Sequence, residues 1–316
     1  MKIVLLDRES IGFDTPIESL YTIGEVEIYD RSTHKEAIER AKDADVIIIN
    51  KVRIDHEVIE NAKNLKLICV FATGFDNIDI TSAKKHNVAV SNVPGYSTES
   101  VTACTIANVL ALSTNIREYN QYVVNGEYSE SGKPNLLTPV FHEISNKVWG
   151  IIGCGDIGSA IARVATALGA KVVTYQRHKH PIYETLDLEQ LCSQSDIITI
   201  HCPLNDESRG LINKNLLEKM KSSVIIVNAA RGAVLDEAAV AESIKSKQIG
   251  AFGCDVYSTE PFGLDHPFYE IKSYPNVLLT PHCAWGSFES RERCINIIHN
   301  NIISFLNGKI SNRVDI

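Results

Sequence analysis

Short runs of β-branched residues alternate along this chain with stretches whose apolar positions recur every three to four residues. Residues 2–7, 45–50 (Asp-Val-Ile-Ile-Ile-Asn), 66–71 and 88–93 (Val-Ala-Val-Ser-Asn-Val) are apolar at successive positions. That pattern predicts parallel strands buried on both faces. Between them, 34–43, 55–64 and 79–86 predict helices, the last two opening on an Asp that can cap them. This first section reads as an α/β unit without a Gly-rich phosphate loop.

Pro94-Gly95 breaks the series. From about Glu99 to Ile116 the chain is rich in Ala, Thr, Val and Leu and almost uncharged. The helix it predicts is expected to be buried on most sides, between domains or between subunits. Residues 119–146 have no clear period and are expected to form a polar connection. A second series of strand patterns runs at 147–152, 171–175, 196–201, 223–228, 250–255 and 276–280, with helical stretches between. Six strands joined by crossovers describe a doubly wound dinucleotide fold. One more helix, about Ser287 to Leu306, is long enough to return to the first domain and make it discontinuous. The expected division is 1–98 with 285–316, and 99–284.

Composition narrows the function. At 316 residues the chain is too long for one core and suits two α/β domains. Apolar residues make up 44% and charged residues 22%, which excludes a disordered chain. A net charge of −8 argues against nucleic acid as a partner, though one buried Arg still suffices for a small anion. The N-terminal apolar run is too short for a signal peptide, and no stretch reaches 18 apolar residues, so no membrane span is expected. The eight cysteines are scattered without a C-x-x-C pair. Buried free thiols, a cytoplasmic address and no metal site are the expectation.

The first chemical signal is G-x-G-x-x-G at Gly153, Gly155 and Gly158, which follows a strand and opens a helical pattern, the context the motif requires. Gly153 permits the tight turn, Gly155 lets the backbone approach a pyrophosphate, and Gly158 allows close helix–strand packing. The helix N-terminus offers N–H groups to the phosphates. The next strand, 171–175, is followed by Gln176, Arg177, His178 and Lys179, where an acid would bind the adenosine ribose. A neutral amide beside cations accepts a 2′-phosphate that an acid would repel. The residues therefore favour NADPH, or use of both cofactors; the alternative is a solvated basic loop.

In open α/β sheets ligands lie past the carboxyl ends of the strands. Val224–Asn228 leads into Ala229-Ala230-Arg231-Gly232, the strand through Asp255 leads to Glu260-Pro261, and Val277–Thr280 leads into Pro281-His282. An Arg, a Glu and a His thus emerge at one edge of one sheet, where each alone would read as an ion pair or a cap.

These residues, in this order, resemble the D-isomer-specific 2-hydroxyacid dehydrogenases. The resemblance spans essentially the whole chain. It rests on Asn228-Ala229-Ala230-Arg231-Gly232, on Asp255-Val256-Tyr257-Ser258-Thr259-Glu260-Pro261 and on Thr280-Pro281-His282. It extends to Ala72–Asp79, Asn92–Thr98 and His201-Cys202-Pro203-Leu204. The Ala-Thr-Gly loop, the Pro-Gly-Tyr-Ser-Thr run and Ala284-Trp285 are most like glycerate dehydrogenases, also called hydroxypyruvate reductases.

The resemblance implies two doubly wound parallel-sheet domains, one a Rossmann-type NAD(P)-binding domain, the other a discontinuous flavodoxin-like substrate domain. It implies a small anionic 2-keto acid substrate and a homodimer. It makes His282 the proton donor, Glu260 its charged partner, and Arg231 the clamp on the substrate carboxylate. Those roles suit the chemistry, because hydride transfer to a keto carbon puts negative charge on oxygen. A neighbouring carboxylate favours a charged histidine, and the guanidinium fork matches a carboxylate. Thr73, Gly74 and Tyr96 are implied substrate contacts. Asp156, Ile157, His201, Cys202, Pro203, Ser208, Ala229, Ala230, Ala284 and Trp285 are implied to line the cofactor, and Asp255 to bind its nicotinamide amide. Two departures stand out: Gln176 in place of an acid, and Thr102-Ala103-Cys104 in the interdomain helix where an Ala-Glu/Gln-His-like run is frequent. Glu260 disfavours formate oxidation, for which the family pairs its His with Gln. His282-Cys283-Ala284-Trp285 and the absence of an appended domain disfavour a phosphoglycerate dehydrogenase. A D-lactate-type enzyme and a non-enzymatic dinucleotide sensor complete the alternatives.

Overall fold

The computed structural model describes residues 1–316, which divide into two compact units, 1–97 with 286–316, and 98–285. In the first unit, β1 (Lys2–Leu5), β2 (Glu25–Ile28), β3 (Val46–Ile49), β4 (Leu67–Val70) and β5 (Ala89–Ser91) form one parallel sheet in the order β2-β1-β3-β4-β5. That is the flavodoxin-like order. The three predicted helices form, at His34–Ala41, His56–Asn61 and Ile80–Lys85. Asp55 and Asp79 cap the last two by accepting from Val58 N at 3.3 Å and Ser82 N at 2.8 Å. The core consists of the strand residues the apolar runs marked, such as Ile47, Ile49, Ile68 and Val70, all fully buried. The last helix, Phe288–Leu306, packs against β4 with Cys294, Ile295, Ile298 and Ile302 inward, so the chain does return to its first unit.

In the second unit, β6 (Val148–Ile152), β7 (Lys171–Tyr175), β8 (Glu184–Thr185), β9 (Ile197–Ile200), β10 (Ile225–Asn228), β11 (Ala251–Cys254) and β12 (Val277–Leu279) are all parallel. Their order, β12-β11-β10-β9-β6-β7-β8, reverses direction between β6 and β9, which opens the crevice where such sheets bind ligands. The apolar helix is Thr98–Thr114, lying on the helix Asp156–Ala167 and on β10 and β11. Only one stripe of it is fully buried, through Val101, Thr105, Asn108, Val109 and Leu112, while Ala103 and Ala107 are exposed. Its low charge reflects small residues on the open side as well as burial.

Residues 119–146 are not an irregular polar connection, because Ile116–Val124 and Glu127–Ser131 are helical. Between residues 116 and 141 the chain also exposes Ile116, Val123, Val124, Leu137, Val140 and Phe141. The strands β2 and β8 have no counterpart in the sequence reading. Both are edge strands: Glu25-Val26-Glu27-Ile28 alternates charge with apolar residues, and β8 has two residues. No helix is long and apolar enough to cross a membrane. All eight cysteines are free; Cys69, Cys154, Cys192, Cys254 and Cys294 are buried as expected, whereas Cys283 is exposed.

Candidate active site

The phosphate loop joins β6 to the helix Asp156–Ala167 as the glycine spacing requires. Gly153 has φ +86°, and a Cβ there would lie 2.5 Å from Cys202 N, so only glycine fits between β6 and the segment that follows β9. A Cβ on Gly158 would lie 2.3 Å from Gly153 O, which is the close helix–strand contact. A Cβ on Gly155 would meet nothing within 4 Å. The space above Gly155 is open, and Asp156, Ile157 and Gly158 begin a 12-residue helix whose first N–H groups have no helical acceptor. These features fit a pyrophosphate.

His201 borders the same loop. Both ring nitrogens are shut from solvent and neither has a partner in the chain, although part of the residue is exposed. Burial holds its pKa down to about 3. The unfolded chain therefore binds a proton below about pH 6.5 that the folded chain refuses. By linkage this costs stability progressively as pH falls from about 6.5 towards 3, at roughly 1.4 kcal/mol per pH unit. Between pH 7 and pH 5 the wild type is expected to lose about 2 kcal/mol more than His201→Asn, read from urea unfolding. Equal losses in the two proteins would show that the ring reaches solvent.

Past β7, Gln176 is half-buried while Arg177, His178 and Lys179 are exposed. The Arg177 guanidinium pairs at 2.8 Å with Glu207, itself exposed on the turn after Pro203. The sequence reading missed Glu207, for which no periodicity gave a signal. In the same turn Ser208 donates its hydroxyl to Pro203 O at 2.7 Å and accepts from Asn205 N at 2.8 Å. Its hydroxyl closes the loop, whatever the loop contacts.

The chemistry-bearing residues gather at the ends of β10, β11 and β12, which are neighbours in the sheet. Buried Asn228 accepts from Ala230 N at 3.0 Å and donates to Arg231 O at 2.9 Å, folding the loop that presents Arg231. The Arg231 Nη1 donates to Ala230 O at 2.8 Å. Gly232 lies against the next loop so closely that a Cβ would sit 2.0 Å from Tyr257 C. Past β11, Glu260 reaches the imidazole of His282, with Oε2 2.6 Å from Nδ1. Its other oxygen accepts from Tyr257 N at 3.0 Å. His282 has φ +52°, a left-handed conformation that His adopts more readily than most side chains and that turns its ring towards Glu260.

Asp255 lies beneath this turn. Its carboxylate is buried and accepts from Thr280 Oγ1 at 2.6 Å, Cys283 N at 3.0 Å and Ala284 N at 2.9 Å. It thereby fixes the backbone on both sides of His282. Trp285 Nε1 donates to His282 O at 2.9 Å. With Nδ1 facing a carboxylate, the ring is held in the tautomer that leaves Nε2 to exchange a proton with a bound substrate. An imidazole held this way accepts a proton at Nε2 and, once protonated there, can deliver it to a developing alkoxide, while a guanidinium can hold a carboxylate.

The other unit carries Thr73, Gly74 and Tyr96 past its own strands. Thr73 Oγ1 donates to Val93 O at 2.8 Å and Asn92 Nδ2 donates to Thr73 O at 2.8 Å, so the loop after β4 is pinned to the loop after β5. The main-chain N–H groups of Thr73 and Gly74 donate to no group of the chain, which suits an anion. Tyr96 is buried, and its carbonyl accepts from Arg293 at 3.0 Å.

Residues 106–284 match the model of the D-isomer specific 2-hydroxyacid dehydrogenase, NAD binding domain. The chain is 37% identical over 324 residues to a hydroxypyruvate reductase of Blautia hydrogenotrophica, covering 100% of both chains. It is 34% identical over 315 residues to a glycerate dehydrogenase of Methylorubrum extorquens, covering 99% of each. Among solved structures it superposes on an acyclic imino acid reductase in complex with NADPH and D-Arg with a TM-score of 0.88. That pair is 30% identical over 99% of this chain and 100% of the other.

Proposed function

Because the chain belongs to the D-isomer specific 2-hydroxyacid dehydrogenases, oxidoreductases acting on CH–OH with a nicotinamide dinucleotide, we propose that its substrates are hydroxypyruvate and glyoxylate. The observation that carries the reading is the Glu260–His282 pair at the same sheet edge as Arg231, past three neighbouring strands. The names of the relatives that match the chain end to end support the substrate class. In this reading residues 98–285 bind the cofactor, and 1–97 with 286–316 form the substrate domain.

A bound reduced nicotinamide supplies a hydride to the C2 carbonyl of the keto acid. Arg231 holds the carboxylate and polarises the carbonyl. His282 delivers its Nε2 proton to the carbonyl oxygen as C2 becomes tetrahedral. Glu260 keeps the ring oriented through its contact with Nδ1. The substrate reading is tested by kcat/KM across hydroxypyruvate, glyoxylate, pyruvate and a bulkier 2-keto acid. Hydroxypyruvate or glyoxylate is expected to lead, and preference for the bulky acid would overturn it.

For the cofactor the proposal is NADPH at least as good as NADH. Gln176 stands where an acid would repel a 2′-phosphate, and Arg177 is beside it. Glu207 favours the opposite reading, because it already occupies the Arg177 guanidinium. That pair is exposed on both sides and so worth at most about 1 kcal/mol, less than a charge-assisted contact to phosphate at about 1.5–3 kcal/mol. Gln176→Asp is expected to move the NADPH/NADH ratio of kcat/KM roughly ten- to a hundredfold towards NADH. A wild type that strongly prefers NADH would contradict the proposal.

A homodimer is also proposed, with the exposed Ile116, Val123, Val124, Leu137, Val140 and Phe141 as its apolar surface. A cluster of this kind within one segment is typical of a covered face. Sedimentation equilibrium of the purified chain is expected to give twice the 34.9 kDa mass, and a monomer at micromolar concentration would exclude it.

A further inference from the structure

The loop between β11 and the helix Pro267–Ile271 contains a set of buried polar contacts that the proton-transfer pair does not itself use. Tyr257 donates its hydroxyl to Thr280 O at 2.8 Å, two residues before His282, and lies 3.3 Å from Cys254 O at the end of β11. The same residue donates its main-chain N–H to Glu260 Oε1 at 3.0 Å. One residue thus touches the strand end that carries the histidine and the carboxylate that faces it. Its ring is caged by Phe262, His266 and Phe268, with centroids 4.7, 6.1 and 6.2 Å away.

The cage is anchored in turn. Glu237 begins the helix Glu237–Lys245 and is buried, yet its carboxylate meets no Lys or Arg. It accepts from Ser258 N at 2.9 Å, from the Ser258 hydroxyl, and from His266 Nε2 at 3.0 Å. His266 Nδ1 accepts from Phe268 N at 3.1 Å, which fixes the tautomer with Nε2 as donor. Every polar atom of this cluster is matched, as a buried network must be to hold one geometry. It lies directly behind Tyr257, and Gly232 of the Arg231 loop packs on the same stretch of backbone.

We propose that Tyr257 is a positioning residue for the His282–Glu260 pair, joining the two chain segments that carry them and held in place by the Glu237–Ser258–His266 cluster, of which Glu237 and His266 are buried. The proposal rests on the functional reading above for its rate prediction, but its geometric claim stands apart from that reading. Burial, with Asp255, Glu260, Cys254 and Cys283 nearby, pushes the Tyr257 hydroxyl well above the usual tyrosine range, so it remains a donor at any working pH. Without the hydroxyl, Thr280 loses its direct tie to the Glu260 loop, and the Nδ1–Oε2 separation is held less tightly.

The test is Tyr257→Phe, which removes one oxygen and keeps the ring in its cage. In keto acid reduction kcat is expected to fall about three- to tenfold, the worth of one hydrogen bond, with the KM for the cofactor unchanged. The KM for the keto acid should hardly change, so that the loss falls on the proton-transfer step and not on binding. Ser258→Ala and Glu237→Gln should lower kcat in the same way, with both KM values unchanged. Either of them combined with Tyr257→Phe should add less than the sum of the single effects. Ser258→Thr, which keeps the hydroxyl, should restore most of the loss. A Tyr257→Phe variant with a lower Tm but an unchanged kcat would reduce the residue to packing and overturn the proposal. If the wild type reduces no 2-keto acid, the functional reading fails. The NMR chemical shifts of the His282 ring at one pH then still decide, with coincident shifts in wild type and Tyr257→Phe refuting the positioning role.

Discussion

Replacing His282 by Ala is expected to lower kcat for keto acid reduction by about 10²- to 10⁴-fold, the usual contribution of a positioned general acid. Cofactor affinity should stay within a fewfold. The reason lies in where the ring is held. Its turn is built by Asp255, which accepts from Thr280, Cys283 and Ala284, and these contacts involve no atom of the imidazole. Removing the ring therefore leaves the backbone of the turn and the phosphate loop at Gly153–Gly158 standing. Glu260 loses its Nδ1 partner but keeps the bond from Tyr257 N. Glu260 is about one third exposed and can recruit water, so the fold should survive. Steady-state kinetics with cofactor binding by fluorescence checks both halves; a variant that keeps most of its kcat would remove His282 from the mechanism.

Arg231→Lys is expected to cost about 10²- to 10³-fold in kcat/KM, as for loss of one donor to a developing oxyanion. An ammonium keeps the charge but cannot make two parallel hydrogen bonds to a carboxylate. Both KM and kcat should worsen, since one group is asked to clamp the acid and to polarise the carbonyl. The loop itself should hold, because Asn228 fixes it through the main-chain atoms of Ala230 and Arg231. A change in Tm alone, with kinetics intact, would make Arg231 a structural residue.

Much of this site was legible before the structure because the strands that carry it are uninterrupted apolar runs. Val-Ile-Ile-Val-Asn and Asn-Val-Leu-Leu-Thr cannot be amphipathic, so they had to be central strands, and whatever followed them had to sit at a sheet edge. The glycine spacing was equally informative, since Gly153 and Gly158 are each fixed by a steric demand that the structure displays, while the space above Gly155 is open. Edge strands were not legible. In β2, Glu25 and Glu27 alternate with Val26 and Ile28, and four alternating residues do not separate from a loop. The helices after Thr114 were hidden because Ile116, Val123 and Val124 face outward, so their apolar pattern does not report a core within the chain. The roles of Tyr257 and Glu237 were invisible for another reason. They depend on where β11 and β12 end relative to each other, and on a helix beginning some twenty residues before Ser258 in sequence. The Arg177–Glu207 pair likewise joins loops 30 residues apart.

The central claim is hydride transfer to C2 of a small 2-keto acid with a defined hand. It is tested most directly by incubating the wild-type protein with hydroxypyruvate and each reduced nicotinamide cofactor. Loss of the reduced cofactor is followed while the glycerate formed is resolved by chiral chromatography. Cofactor oxidised in one-to-one proportion to D-glycerate is the predicted result. L-glycerate, or no oxidation of either cofactor with hydroxypyruvate, glyoxylate or pyruvate, would contradict it.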